Sequence, residues 1–297
     1  MSFKKFDEFI SDESKMIIHT FGNDGITEES MPFPIDGKII KDKVAIYCST
    51  YNISENQRGR GEYITYKKML SNLLDSLKSQ SYDNWKLFIV GDRFDPEEEL
   101  VDLLKSKLTP GQYTFHNMSK PGERDDLEGT DLRLSGGCKA KNKAISMGKG
   151  EGFKYFAHID HDDVWKPNHL EHVMRAFQQD PDVGFVYTKG AKKRVRGTGS
   201  YYWGSDETTP VLFYDNIPDK IKEAPHSGIV WHGPTIGWPK YRSVPEQKSS
   251  APRRSSGMGG DEDIIRRIVD ALKNKGKKAI YVPKLTVRLR NAQGKLP

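Results

Sequence analysis

Two groups of carboxylates in this chain have spacing that can do chemistry: Asp160-His161-Asp162-Asp163 and Asp261-Glu262-Asp263. Three carboxylates within four residues repel one another unless a cation compensates them. Hard divalent ions such as Mg2+ and Mn2+ take oxygen ligands, commonly one or two carboxylates together with substrate phosphates. A D-x-D at the tip of a buried strand puts two carboxylates on one side of an extended turn, within reach of one ion. The plainer alternative, a solvated acidic loop capping the helix that starts near Pro167, loses weight because the cluster follows an apolar run. The second group opens a helical pattern, where acidic residues also serve simply as a cap with dipole-favoured charges. His158 and His161 beside Asp160 leave a metal-dependent phosphoesterase as a rival chemistry, although no convincing further His and Asp motifs accompany them.

The elements that must position these groups follow from periodicity. Val44-Ala45-Ile46-Tyr47-Cys48 is a continuous apolar run, as expected of a strand buried on both faces, and it ends in the polar turn Ser49-Thr50-Tyr51-Asn52. Tyr66, Met69, Leu70, Leu73, Leu74 and Leu77 then form a helical stripe. Lys86 to Val90 reads as a second buried strand closed by Gly91-Asp92, Pro96 to Lys107 as a helix, and Tyr113-Thr114-Phe115 as a third strand. A helix over Lys139 to Met147 leads to the strand Phe153 to Ile159, which runs directly into the Asp160 cluster. A helix over 168–178, a strand at Val183 to Tyr187, a helix over Asp261 to Lys273 and a strand at Ala279 to Val282 complete the pattern. Residues 189–260 are loosely patterned and rich in Gly, Ser, Pro, Lys and Arg. This order predicts an α/β fold, a single domain with a mostly parallel, Rossmann-like central sheet flanked by helices. Ligands in such sheets bind beyond the carboxyl ends of the strands. No G-x-G-x-x-G follows the first strand, which disfavours a dinucleotide site.

Composition narrows the class. The chain has 297 residues, 35% hydrophobic and 30% charged, with a formal net charge of +6. Its basic residues are scattered and accompanied by no nucleic-acid-binding motif, so the excess suits a held diphosphate better than nucleic acid. Cys48 and Cys138 are too few for a disulfide framework and read as packing residues. No apolar stretch approaches the roughly 20 residues of a membrane span, and the N-terminus lacks the run of a secretory signal. The expectation is a cytoplasmic protein with no membrane span and no nucleic-acid partner.

Taken in order, the motifs resemble glycosyltransferase family 2, the inverting enzymes of the GT-A fold. The resemblance lies in Ser49-Thr50-Tyr51-Asn52, Leu77-Lys78-Ser79-Gln80-Ser81-Tyr82, Asp92, Ala140-Lys141-Asn142, Asp160 to Pro167 and Gly260-Asp261-Glu262-Asp263, and it covers roughly residues 43–285. It implies a GT-A-like domain with a nucleotide-sugar-binding half at 43–165 and an acceptor-binding half at 166–297; residues 1–42, which lack clear periodicity, read as an arm or a short helix plus loop before the fold. It also implies a nucleotide-sugar donor, a UDP-sugar by family habit, and a glycan, protein or small-molecule acceptor. Thr50, Tyr51, Asn52 and Asp92 would hold the nucleoside, and Lys141 the diphosphate. Asp160 would face the ribose or the metal, and Asp160, Asp162 and Asp163 form the DXD-type set for Mn2+ or Mg2+. Asp263 would be the general base, with Asp261 and Glu262 as rivals. Lys141 stands where the family carries arginine, which turns a two-pronged phosphate grip into a point charge. No histidine late in the chain completes the metal site, and Arg288 and Arg290 occupy that tail.

On the acceptor side, Trp203, Trp231, His232 and Trp238 are candidates for stacking on sugars, with packing in the core as the even alternative. The loop over 243–259 is flexible by composition and is expected to order over the donor as a lid. A sugar-nucleotide-binding module without catalysis is a third reading, against which the presence of both acidic motifs argues. The insertion at Arg58-Gly59-Arg60-Gly61 carries no assigned role.

Overall fold

A computed structural model describes residues 14–22, 25–34, 39, 41–52, 66–192, 225–250 and 259–289. The apolar run at Val44 becomes strand β3 (Val44–Thr50), and every one of its residues is buried. Its side chains divide by the period of two: Ile46 and Cys48 enter one core, Ala45 and Tyr47 the other. The neighbouring strand β4 (Trp85–Gly91) divides in the same way, with Leu87 and Ile89 against Phe88 and Val90. One face is covered by helices α1 (Tyr66–Lys78), α2 (Glu97–Lys107) and α5 (His169–Phe177), the other by α4 (Cys138–Gly150) and α8 (Gly260–Lys275). The stripe read on α1 is the buried face: Met69, Leu70, Leu73, Leu74 and Leu77.

The remaining elements are β1 (Lys15–Gly22), β2 (Gly25–Pro32), β5 (Tyr113–Asn117), α3 (Gly129–Ser135), β6 (Tyr155–His158), β7 (Val164–Trp165), β8 (Val183–Lys192), β9 (Ile229–His232), α6 (Gly233–Ile236), α7 (Val244–Ser250) and β10 (Lys278–Leu289). The strands form one sheet in the order β2-β1-β10-β8-β9-β6-β3-β4-β5, and the short β7 pairs with β10. The fold class is as expected, a single mixed α/β domain with helices on both faces of its sheet. "Mostly parallel" needs correction. β5, β4, β3 and β6 run parallel, as do β8 and β10. β9, however, enters between β6 and β8 antiparallel to both. It lies inside the loosely patterned stretch, and only four residues long it leaves little periodic signal.

The arm expected at 1–42 is also corrected for its described part. Residues 15–32 make a hairpin that extends the sheet, with β1 antiparallel to β10 through Ile17–Tyr281 and Ile18–Ile280. Met16 and Phe21 are buried in the two cores, so apolar burial outweighs the irregular pattern. Among the described residues no helix is long and apolar enough to cross a membrane.

Candidate active site

The carboxyl ends of β4, β3 and β6 lie side by side, which brings Asp92, Thr50-Tyr51-Asn52 and Asp160 to one edge of the sheet. At this edge lies a cleft of about 790 Å³ lined by Tyr51, Asn52, Asp92, Arg124 and the Gly136-Gly137 turn, among others. Gly137 adopts φ +75° at the start of α4, and a Cβ there would meet Ser49 Oγ at 2.8 Å. Glycine is therefore what lets the start of this helix approach the strand end closely.

Within the cleft Tyr51 presents a ring with the Arg124 guanidinium 5.1 Å above it and His161 edge-on at 5.6 Å. Asn52 lines the wall and donates to the Asp95 carbonyl. Thr50 is wholly buried and lies under the site rather than in it. Asp92 is only 2% exposed. Its Oδ1 accepts from Gly122 N at 2.5 Å and its Oδ2 from Arg124 Nε at 3.1 Å. Arg124 also donates to the Asp92 carbonyl. Asp92 thus organises the loop that carries Arg124, and both residues line the cleft.

The acidic cluster divides into three roles. Asp163 is 5% exposed, and its Oδ2 accepts from Ser227 Oγ at 2.6 Å. The same hydroxyl oxygen accepts from Asp160 N at 3.0 Å, so Ser227 closes the acidic turn. Asp160 meets His158 Nε2 at 3.0 Å and Lys141 Nζ at 3.6 Å. Burial opposes its ionisation, yet Lys141, followed by His158, holds its carboxyl well below the usual carboxylate range. Asp162 is half-buried, and no hydrogen bond or ion pair engages its carboxylate among the described residues. One open carboxylate at a cleft edge fits the donor set of a hard divalent ion that takes its other oxygens from phosphate and water. Asp163 and Asp160 are committed to protein partners. Ser227→Ala removes two bonds to buried groups of this turn and is expected to lower stability by about 1–3 kcal/mol, read by urea denaturation; an unchanged midpoint would contradict the role given to Ser227.

The second acidic group separates as helical geometry demands. α8 begins at Gly260, where a Cβ would sit 2.6 Å from Cys138 Sγ, so the first turn of α8 presses against α4. Asp261 is half-exposed and turned toward Asp160: its Oδ1 accepts from Lys141 Nζ, which also pairs with Asp160, at 2.8 Å and lies 3.3 Å from His226 Nδ1. Lys141 is 4% exposed between Asp261 and Asp160. Burial alone would lower its pKa, but the two carboxylates outweigh this and keep it charged. Asp263, by contrast, is fully buried. It is gripped by Arg242 through Nε at 2.9 Å and Nη2 at 2.6 Å, and by Arg266 at 3.1 Å. Glu262 is half-buried and makes no ion pair among the described residues.

Several residues here escaped the sequence reading. His226 stacks on His158 at 3.7 Å and meets Tyr241 Oη through Nε2 at 2.7 Å. Tyr241 in turn meets Tyr47 Oη at 2.7 Å. Asn142 pins Tyr241 by both backbone groups, at 2.8 Å each. The available signal was Pro225-His226-Ser227-Gly228 directly before the apolar Ile229-Val230-Trp231. Trp231 is wholly buried, stacked on Phe156 at 5.9 Å, and so belongs to the core. His232 packs on Tyr155 and Trp238 on Phe156, both away from the cleft lining. Trp203, Arg290, the Arg58–Gly61 insertion and residues 251–258 of the expected lid lie outside the described residues; α7 occupies the first part of that segment. Arg288 lies on β10 opposite Val164 of β7.

The chain is similar in sequence and in fold to known glycosyltransferases. The model of the family "Glycosyl transferase family 2" matches residues 129–229, the span from α3 through the acidic turn to the start of β9. An uncharacterized glycosyltransferase of Acanthamoeba polyphaga mimivirus is 24% identical over 221 residues, 74% of this chain and 86% of that protein. Over residues 129–229 the chain is thus similar to glycosyltransferase family 2. Its fold is similar to that of the S. aureus TarS 1–349 structure in complex with UDP (TM-score 0.52, 14% identity, 84% of this chain). It is likewise similar to the complex with UDP-GlcNAc (TM-score 0.53, 13% identity, 85% of this chain). The chain spans 60% of those two chains.

Proposed function

We propose that the protein transfers a sugar, with inversion, from a UDP-sugar to an acceptor hydroxyl in a reaction dependent on Mn2+ or Mg2+. The observation that carries this reading is the cleft lined by Tyr51, Arg124 and the Gly136-Gly137 turn at the start of α4, with the acidic turn against it through His161 on the Tyr51 ring and Asp261 joined to Lys141 of α4. The Tyr51 ring and Arg124 guanidinium offer a stacking face and hydrogen-bond donors to a uracil, and Asn52 borders the same wall. The Gly136-Gly137 turn directs backbone N–H groups of α4 toward a diphosphate, with helix polarity in its favour. Asp162 would hold the divalent ion, which supplies charge neutralisation on the departing nucleoside diphosphate.

Asp261, rather than Asp263, is the general base. A base must reach the acceptor with a free lone pair. Asp261 is half-exposed, whereas both oxygens of Asp263 are taken by arginines. In the reaction the acceptor oxygen bonds to the anomeric carbon as the carbon–phosphate oxygen bond breaks. The electron pair of that bond stays on the diphosphate, and the acceptor proton passes to Asp261. Lys141 moves from Asp261 toward the diphosphate, which frees the carboxylate once donor is in place.

Titration calorimetry of UDP with Mn2+ and with chelator tests the reading. Binding that needs the ion and weakens at least about tenfold in Asp162→Ala is expected, given the loss of the open carboxylate. The absence of binding to any nucleoside diphosphate under either condition would sink it.

A further inference from the structure

The imidazoles beneath the cleft have no part in the reaction just described. His158, Asp160 and His226 offer ligand atoms that all lie within 4.8 Å of one another. Asp261 Oδ1 stands 3.3 Å from His226 Nδ1, and Asp160 Oδ2 3.6 Å from it. The His226 side chain is 9% exposed, yet its buried Nδ1 makes no hydrogen bond. Its other nitrogen is already engaged by Tyr241 Oη, itself held by Tyr47. That is how a metal-binding imidazole is usually oriented: one nitrogen fixed by an oxygen behind it, the other directed into the site. Two imidazoles and two carboxylates make a donor set unlike the oxygen-only environment of Asp162. Nitrogen-rich sets favour Zn2+ and its neighbours over Mg2+.

We propose that His158, His226 and Asp160, with Asp261 as fourth ligand, form a second cation site that takes a borderline divalent ion such as Zn2+. The Lys141 ammonium lies against both carboxylates, so it and the ion exclude each other. Filling the site occupies the Asp261 carboxylate that serves as the base. Zn2+ is therefore an inhibitor of transfer, acting at residues other than Asp162. Only this inhibition rests on the transferase reading; binding of the ion does not.

The test uses the full chain without nucleotide. Co2+ is titrated in as a spectroscopic stand-in for Zn2+ and followed by visible absorption. The expected result is an intense four- or five-coordinate spectrum that saturates at one ion per chain and is chased by Zn2+. It persists in Asp162→Ala and disappears in His226→Gln. Lys141→Met, which removes the competing charge, tightens binding about tenfold or more. No such spectrum at millimolar Co2+, or an undiminished one in His226→Gln, overturns the proposal. Should His226→Gln fail to fold, zinc K-edge absorption of the unaltered protein decides: two imidazoles in the shell support the site, and an oxygen-only shell refutes it. UDP binding, measured separately through Asp162, tells failure of this site from failure of the transferase reading.

Discussion

Asp261→Asn is expected to slow sugar transfer by about 10²–10⁴-fold, the range lost with a general base, while UDP still binds within a few fold of the unaltered protein. Asp263→Asn is expected to do the reverse. Asp263 is 1% exposed and faces two guanidiniums that are themselves 25% and 20% exposed. Removing its charge leaves both arginines without their counter-ion. Breaking a fully buried pair costs about 3–5 kcal/mol, and the partial exposure of the arginines reduces this to about 2–4 kcal/mol. Turnover and denaturant midpoints measured on the same two variants separate the roles. An Asp263→Asn variant of normal stability but no activity would move the base back to Asp263.

A second large effect is expected in the acid range. Burial pushes the pKa of His158 and of His169 down to about 3, against 6.5 in an unfolded chain. Below pH 6.5 the unfolded chain binds protons that these folded imidazoles refuse, so stability falls as pH falls, down to about 3. From pH 7 to 5 each costs about 2 kcal/mol, about 4 kcal/mol together. Glu123 works in the opposite direction. It is 2% exposed, with Oε1 on Lys139 N and Oε2 without a partner, and burial raises its pKa to about 7. The folded chain holds that proton while the unfolded one releases it down to pH 4.3, which returns about 2 kcal/mol over the same interval. The protein should therefore lose about 2 kcal/mol between pH 7 and 5, and Glu123→Gln about 4 kcal/mol. Urea denaturation in the presence of chelator at a series of pH values checks this. Parallel curves for the two proteins would show that Glu123 is ionised in the fold.

The parts of this molecule legible in its sequence are those written in local periodicity. The apolar runs of β3 and β4, the stripe on α1 and the placing of Asp160 to Asp163 after an apolar strand each need only a few consecutive residues to be seen. What escaped depends on partners far along the chain. Residues two apart on a helix point in nearly opposite directions, so Asp261 and Asp263 cannot both face Lys141. Which of them does is decided by Arg242, whose neighbour Tyr241 is pinned by Asn142 from 99 residues away. His226 is likewise mute until β9 enters the sheet between β6 and β8. Asp92 reads as a carboxylate waiting for a base, and only the fold reveals that Gly122 and Arg124 already occupy it.

The hairpin at the end of the sheet bears on how the protein is handled. β2 is its outermost strand, almost wholly exposed, and it carries Glu28 and Glu29 before ending at Pro32. Charges and proline on an edge strand discourage strand-to-strand association between molecules. A piece trimmed to begin at Lys43, where the apolar pattern first becomes clear, would discard this guard together with β1. It would bare the β10 edge from Lys278 to Tyr281. Such a piece should keep the cleft and yet precipitate.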